Sequence, residues 1–472
     1  MESNIEDFAD KAISHALDLK CRYCDVRAEI ITKEGLVIEN GQIEHTVSMF
    51  DRGLGIRVLN DGAWGFFSVS NPSSISEIIA ATDEAVSSAR YYTKKQKIRL
   101  ASVPTIKDNL VFPIRKEPDI EELAKIGFDC DKIIHERKRI IKSSVSIGYS
   151  KTKKYFASSE GSKITQEYAD VVSELSATAH ESGLTQSVDS TEGGRGGIEK
   201  LSDEKDIFDT AKFVSEMSSN LIDAKPASEE KTIVVMNPDF VALLTHEILG
   251  HPSEADRVLG KEMAWAGGAW WAGNIGKQIG SQNLNVFDDP TISGSLGWYG
   301  YDDEGVKSSK TSLIENGVLV NHMQNRETAE IFNAKPSANM RATSYKFMPL
   351  IRMACTCIGK GDWDQQEMIR DVKSGYLVSN MKVPSIDMKR YNWSISCQFA
   401  QKIENGELTD LLRDVIVIGT APEFFKSIDA CGKDFTVRPI TNCGKGDPMQ
   451  SMIMGNGGPT IRAVATVKSV KS

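Results

Sequence analysis

The sequence is short of several features that would settle its class at once. No apolar run approaches the length of a membrane span, and Met1 to Asp7 hold no cationic stretch followed by an apolar one. Neither a spanning helix nor a secretory leader is therefore predicted, and the chain reads as soluble and cytoplasmic. Basic residues form no dense block: 56 Lys and Arg stand against 65 Asp and Glu, a net charge of -9, which argues against nucleic acid as a direct partner. The eight cysteines are scattered over 472 residues, which excludes a dense disulfide framework and fits a reducing compartment. Cys21-Arg22-Tyr23-Cys24 has metal or redox spacing, but no second pair completes a zinc tetrad. Gly53-Leu54-Gly55 lacks the third glycine and the following helix of a dinucleotide fingerprint.

Histidine is scarce too, with seven in the chain, yet two fall within His246-Glu247-Ile248-Leu249-Gly250-His251. Imidazole is a zinc ligand, and a glutamate beside it can serve as the general base of a hydrolase. In the familiar HExxH motif the histidines are four residues apart and share a helix face; here they are five apart. On an ideal helix that spacing separates the rings by about 140°. The helix is expected to end or bulge here, with Gly250 allowing unusual backbone angles and Pro252 disfavouring an α conformation at His251. Two imidazoles leave a catalytic zinc one protein ligand short. Glu254, Asp256, His322 and the cysteines are chemically possible donors, and spacing does not choose among them.

Around this motif the pattern predicts an α+β protein of two domains. Residues 1–225 form an N-terminal domain with a mixed sheet, and 226–472 a β-rich domain that carries the HExxxH helix, divided near Lys225-Pro226-Ala227-Ser228. A first amphipathic helix starts at a capping box of Ser3 and Glu6. Short strands follow over 26–31, 36–39, 43–48, 55–59 and 63–68, with hairpins at Asn40-Gly41 and Asn60-Asp61-Gly62. Ser74 with Glu77 opens a second helix, Pro118 in a first turn opens a third, and polar strands fill 139–180. The glycine-rich tract 190–197 reads as a mobile loop before a helix over 206–221. Beyond the boundary a buried strand over 232–236 leads through Asn237-Pro238, a cap followed by proline, into the metal helix. Ile-Glu-Asn-Gly at 314–317 and 403–406 marks hairpin tips, and its third copy at 38–41 is shared turn chemistry.

Six segments in one order carry a resemblance: His246 to His251, Asp302-Asp303-Glu304-Gly305, Asn325-Arg326-Glu327-Thr328-Ala329, Arg341-Ala342-Thr343-Ser344-Tyr345 with Pro349 and Arg352-Met353, Cys443-Gly444-Lys445, and Gly457-Gly458-Pro459-Thr460. The chain resembles the TldD/PmbA family, also called modulators of DNA gyrase, and specifically its metal-bearing TldD branch. The resemblance implies a C-terminal barrel-like domain and a zinc metallopeptidase with one Zn²⁺ per chain. It implies His246, His251 and Cys443 as ligands, with Glu247 as catalytic base. Cys431-Gly432-Lys433 is a second candidate segment, and Cys443 is preferred because the Gly-Pro-Thr segment follows it. The resemblance also implies unfolded or extended peptides as substrates, cut in an enclosed cavity of a dimer made with a metal-free TldE/PmbA-like sister chain or with itself. The rival reading is a non-catalytic, metal-stabilised peptide-binding protein or regulator.

Other residues have two readings. Trp265, Trp270 and Trp271 belong either to a lid over the site or to a packed interface. Asp302, Asp303 and Glu304 either position a substrate amine or pair with Arg326, unless they form a solvated turn. Arg326, Arg341 and Arg352 either clamp peptide carbonyls or carboxylates or pair structurally. His322 reads as a satisfied histidine rather than a ligand.

Overall fold

The computed structural model describes residues 4–91, 97–203, 206–262 and 267–469. Asn40-Gly41 and Asp61-Gly62 all have positive φ, between 48° and 79°, which makes two-residue hairpin turns whose twist matches the flanking strands. They join β1 (Tyr23–Glu39), β2 (Gln42–Asn60) and β3 (Ala63–Ser70) into an antiparallel meander. The five short strands expected here thus merge into three, because the polar residues between them stay extended instead of turning. β4 (Lys107–Val111) runs parallel to β6 (Lys163–Glu181), which pairs antiparallel with β5 (Ile140–Ser158) and β7 (Leu184–Arg195). The sheet order is β3-β2-β1-β5-β6-β4, with β7 also on β6.

Helices α1 (Asn4–Asp18) and α2 (Ile75–Tyr91) pack over β1 to β3, and α3 (Ile120–Ile134) and α4 (Ile207–Leu221) over β5 to β7. Each pair seals its own apolar cluster. The third helix is capped by Asp119, whose carboxylate accepts the Glu122 N–H at 2.8 Å, so Pro118 lies before the cap and not in the first turn. The expected loop over 190–197 is also corrected: Ser190 to Arg195 complete β7. Glycine serves close approach there. A Cβ on Gly193 would lie 2.2 Å from the Val171 carbonyl oxygen, and one on Gly194 2.3 Å from that of Gly294. Arg195 pairs with Asp170 at 2.8 Å, which ties the strand end into the sheet.

In the C-terminal half five strands close a barrel in the order Ser374–Ile386, Glu230–Met236, Ile461–Ser469, Val415–Thr420 and Asn392–Glu404, the last returning to the first. A neighbouring six-stranded sheet ends on Thr436–Lys445, paired on one side with Gln450–Gly458. Asn316-Gly317 and Asn405-Gly406 have the same left-handed turn geometry as Asn40-Gly41, so all three Ile-Glu-Asn-Gly copies are hairpin tips. One apolar cluster underlies the barrel, the six-stranded sheet and α5 (Pro238–Leu244). Among the described residues no helix is long and apolar enough to cross a membrane.

Candidate metal centre

The strand Glu230–Met236 delivers the chain to Asn237, whose side chain caps α5 by accepting the Phe240 N–H at 3.0 Å, with Pro238 at the first helical position. After Leu244 the helix widens into a π turn over Thr245–Gly250, and the His251 N–H bonds the His246 carbonyl. That i to i+5 bond joins the two histidines directly, so the five-residue spacing places both rings on one side of the helix. The bulge expected here is present, but its physical basis differs from the expectation. His251 keeps α geometry (φ -57°, ψ -43°) despite Pro252, and Gly250 is also right-handed. Glycine at 250 makes room for Met353: a Cβ there would lie 2.0 Å from its sulfur, so that side chain would have to shift.

Cys443 arrives on the edge strand Thr436–Lys445, next to a register shift between Ile440 and Cys443. The ligand atoms of His246, His251 and Cys443 all lie within 4.8 Å of one another, and the three residues are buried. Cys443 Sγ is 3.5 Å from His251 Nε2, about the N···S separation that tetrahedral zinc with bonds of roughly 2.0 to 2.3 Å would set. The donor set therefore fits a thiophilic divalent ion with room for one further ligand.

The outward ring nitrogens are fixed by partners. His246 Nδ1 meets Asn456 Oδ1 at 2.9 Å, and His251 Nδ1 meets Glu254 Oε2 at 3.2 Å. Glu254 also accepts from Arg257 at 2.8 Å and Lys445 at 3.1 Å, while Lys445 reaches Asp256 at 2.8 Å. Burial would raise the Glu254 carboxyl, but Lys445, His251 and Arg257 hold it well below its usual range. Burial would likewise depress His246, yet the Cys443 thiolate, Glu247 and Asn456 carry it up to about 9. The Cys443 thiol, which burial would raise, is held well below its usual value by the two imidazoles. The cluster is thus built to keep sulfur anionic.

Glu247 opens onto a cavity of about 750 Å³ and pairs with Arg390. Burial would raise its carboxyl, but His246, His251 and Arg390 lower it. Two strand edges flank this cavity: Met381 to Ile386, beyond the Gly375–Val378 stretch paired with Glu230–Met236, and Pro439 to Gly444 on the sheet's last strand.

The remaining candidates lie outside the cluster. Cys431 is buried elsewhere, its sulfur 3.6 Å from the Asn283 carbonyl. Glu254 and Asp256 serve the neighbouring ion network. His322 is 1% exposed, and among the described residues neither ring nitrogen has a partner, so it is buried without the hydrogen bonds expected of it. Arg326 pairs with Glu160 at 2.8 Å, Arg341 donates to the carbonyls of Met353 and Ile453, and Arg352 to those of Gln450 and Cys443. All three hold the frame. Asp302 to Glu304 are buried, and Glu304 accepts the Arg326 backbone N–H at 2.7 Å, so the turn is neither solvated nor paired with the Arg326 guanidinium. Trp271 is buried and donates to the Pro252 carbonyl at 2.7 Å, with Trp270 packed beside it; Trp265 lies outside the described residues. Burial raises the thiols of Cys21 and Cys24, which leaves that pair an apolar role.

Sequence reasoning misses Arg390, Asn456 and the part played by Lys445. Lys445 stands inside the Cys-Gly-Lys segment, which offers a local signal for it. Arg390 approaches from a hairpin tip and Asn456 from a strand, with no such signal.

Family models place the chain among known proteins. The PmbA/TldA metallopeptidase C-terminal domain matches residues 229–467, domain 1 matches 24–89 and the central domain 115–222. The chain belongs to the TldD/PmbA metallopeptidase family. It is similar to a metalloprotease of Methanocaldococcus jannaschii, 34% identical over 94% of this chain and 96% of that protein. A zinc metalloprotease TldD homolog of Saccharolobus solfataricus is 28% identical over 96% of this chain and 97% of its own length. TldE from Thermococcus kodakarensis shares the fold, with a TM-score of 0.76 at 17% identity over 98% of this chain and 100% of that one. As a TldD/PmbA protein whose relatives are named metalloproteases, the chain is a metal-dependent peptidase by family.

Proposed function

We propose that this chain is a zinc peptidase with His246, His251 and Cys443 as ligands and Glu247 as general base. It acts in the cytoplasm on unfolded or extended peptides, with residues 226–472 as the catalytic domain and 1–225 as the N-terminal domain. The observation that carries this reading is the convergence of two nitrogens and one sulfur beside a glutamate at the wall of a cavity. When bound, zinc supplies the Lewis acid that polarises the scissile carbonyl. Glu247 takes a proton from the attacking water and passes it to the leaving amine. Asn456 and Glu254 keep the imidazoles turned inward. The naming of the Saccharolobus relative as a zinc enzyme supports the choice of metal.

The two strand edges beside the cavity support an extended substrate held by main-chain hydrogen bonds. A dimer enclosing that cavity, with a metal-free sister chain or a second copy, is part of the same proposal. Among the described residues the stretch of β2 before Gly53 has no strand on its outer edge, and it exposes Ile43, Val47, Met49 and Phe50, the kind of apolar surface that partners cover.

Glu247→Gln tests the reading. Metal content is expected to stay at the wild-type level while peptide cleavage falls by about 10²- to 10⁴-fold. A metal-stabilised binder would cleave in neither form, and cleavage that survives the substitution would remove Glu247 as the base.

A further inference from the structure

Arg390 stands at the tip of a hairpin with a left-handed backbone (φ 61°). The tip is braced: the Asp387 carboxylate accepts the N–H groups of Lys389, Tyr391 and Asn392 at 3.0, 2.9 and 2.8 Å. The Trp270 N–H also bonds the Lys389 carbonyl at 2.9 Å. The guanidinium is therefore carried into the cavity on a fixed strut, where it meets Glu247.

The other cavity arginines are each held by two protein carboxylates, although among the described residues the buried Nη2 of Arg257 has no hydrogen-bond partner. Arg257 is held by Glu254 at 2.8 Å and Glu262 at 3.5 Å, and Arg438 by Glu192 at 2.9 Å and by Asp239. Arg390 has five N–H donors and among the described residues spends one on Glu247, which leaves an edge of the fork open for a bidentate carboxylate. A carboxylate bound there would sit about one residue, roughly 3.5 Å of extended chain, from a peptide bond within reach of Glu247.

We propose that Arg390 is a receptor for the terminal carboxylate of the substrate. Docking of that carboxylate draws Arg390 off Glu247, frees the base, and sets the last peptide bond against it, so the site trims residues from C-termini. The bond broken is the amide C–N bond between the carbonyl carbon of the penultimate residue and the nitrogen of the last. Water gives its hydroxyl to the acyl carbon, its proton passes through Glu247 to the departing amine, and no redox partner is needed. The inference rests on the peptidase reading above and narrows its substrate class to peptides with a free C-terminus.

The test is a binding comparison in the metal-loaded Glu247→Gln protein, where cleavage does not interfere. One extended peptide is titrated calorimetrically as the free acid, as the C-terminal amide, and as an amide ending in an acidic side chain. The acid is expected to bind at least tenfold more tightly than either amide. Arg390→Gln should erase the difference without changing amide affinity, and Arg390→Lys should restore part of it. Equal affinity for acid and plain amide would overturn the proposal, as would an Arg390→Gln variant that weakens both peptides alike. An acidic-side-chain amide that binds as well as the acid would move the recognised carboxylate off the terminus and overturn the trimming assignment. None of these outcomes depends on turnover, so they stand apart from the cleavage test of Glu247.

Discussion

Two clusters of buried charge sit in this chain, and they differ in how completely their atoms are partnered. At the turn Asp302-Asp303-Glu304 every carboxylate oxygen has a donor. Asp302 receives the N–H groups of Glu304, Val306 and Met340, Asp303 meets Lys154, Arg27 and the Ala342 N–H, and Glu304 meets Arg57 and the Arg326 N–H. At the metal centre the carboxylate of Glu254 and the amide of Asn456 are spent on orienting rings, while Cys443 and the inner ring nitrogens converge on one point and Glu247 lines the cavity beside them. Carboxylates whose oxygens are all met by donors tie sheet to sheet, even though Arg27 Nε and one terminal nitrogen of Arg57 have no hydrogen-bond partner among the described residues. Converging donors with a cavity in front of them are what chemistry needs.

Breaking the first cluster should cost stability. Arg57→Met leaves Asp25 and Glu304 buried without their shared guanidinium, which is 2.5 Å from Asp25 and 3.1 Å from Glu304, and about 3 to 5 kcal/mol of unfolding free energy is expected to be lost. Denaturant titration measures this, and metal content of the folded protein should not move. A variant as stable as wild type would mean that the turn is not the fastening described here.

His322 provides a charge-free counterpart, buried beside Phe332 with both nitrogens unpartnered among the described residues. Burial lowers its pKa from 6.5 to about 4. The unfolded chain therefore takes up a proton between these values while the native one does not, so the stability present above pH 6.5 is lost as pH falls through about 4. The full effect is about 3 kcal/mol, since each tenfold change in proton affinity is worth roughly 1.4 kcal/mol. His322→Phe should flatten the stability profile across that window, and an unchanged slope would show that other groups govern acid unfolding.

The smallest effect expected is at the ring supports. Glu254→Gln keeps the shape but weakens the orientation of His251, and metal affinity should fall by about 10- to 100-fold, as read by competition with a chromogenic chelator. An unchanged affinity would reduce Glu254 to a member of the salt-bridge network and blur the contrast between the two clusters.

The parts legible in the sequence are those with local causes. Asn-Gly turns, the Asn237-Pro238 cap and the bulge at the HExxxH spacing act over a few residues, and the structure shows the turns, the cap and the bulge. The role of Gly250 is not legible, because the reason for it is Met353 about a hundred residues away. The strand over 190–195 reads as a loop because its glycines make room for Val171 and Gly294, and composition alone does not distinguish such glycines from flexible ones. Cys443 is reached by resemblance and not by spacing, since it comes to His251 across 192 positions of chain. Arg390 is invisible for the same reason: its partner Glu247 lies 143 positions away.

Two neighbouring imidazoles and one remote thiolate are proposed to hold a single catalytic ion. Metal stoichiometry of purified wild type and of Cys443→Ser, both dialysed against a chelator of moderate strength, tests this most directly. One zinc per wild-type chain and a large loss from the serine variant are expected, whereas equal stoichiometry in the two proteins would rule out Cys443 as a ligand.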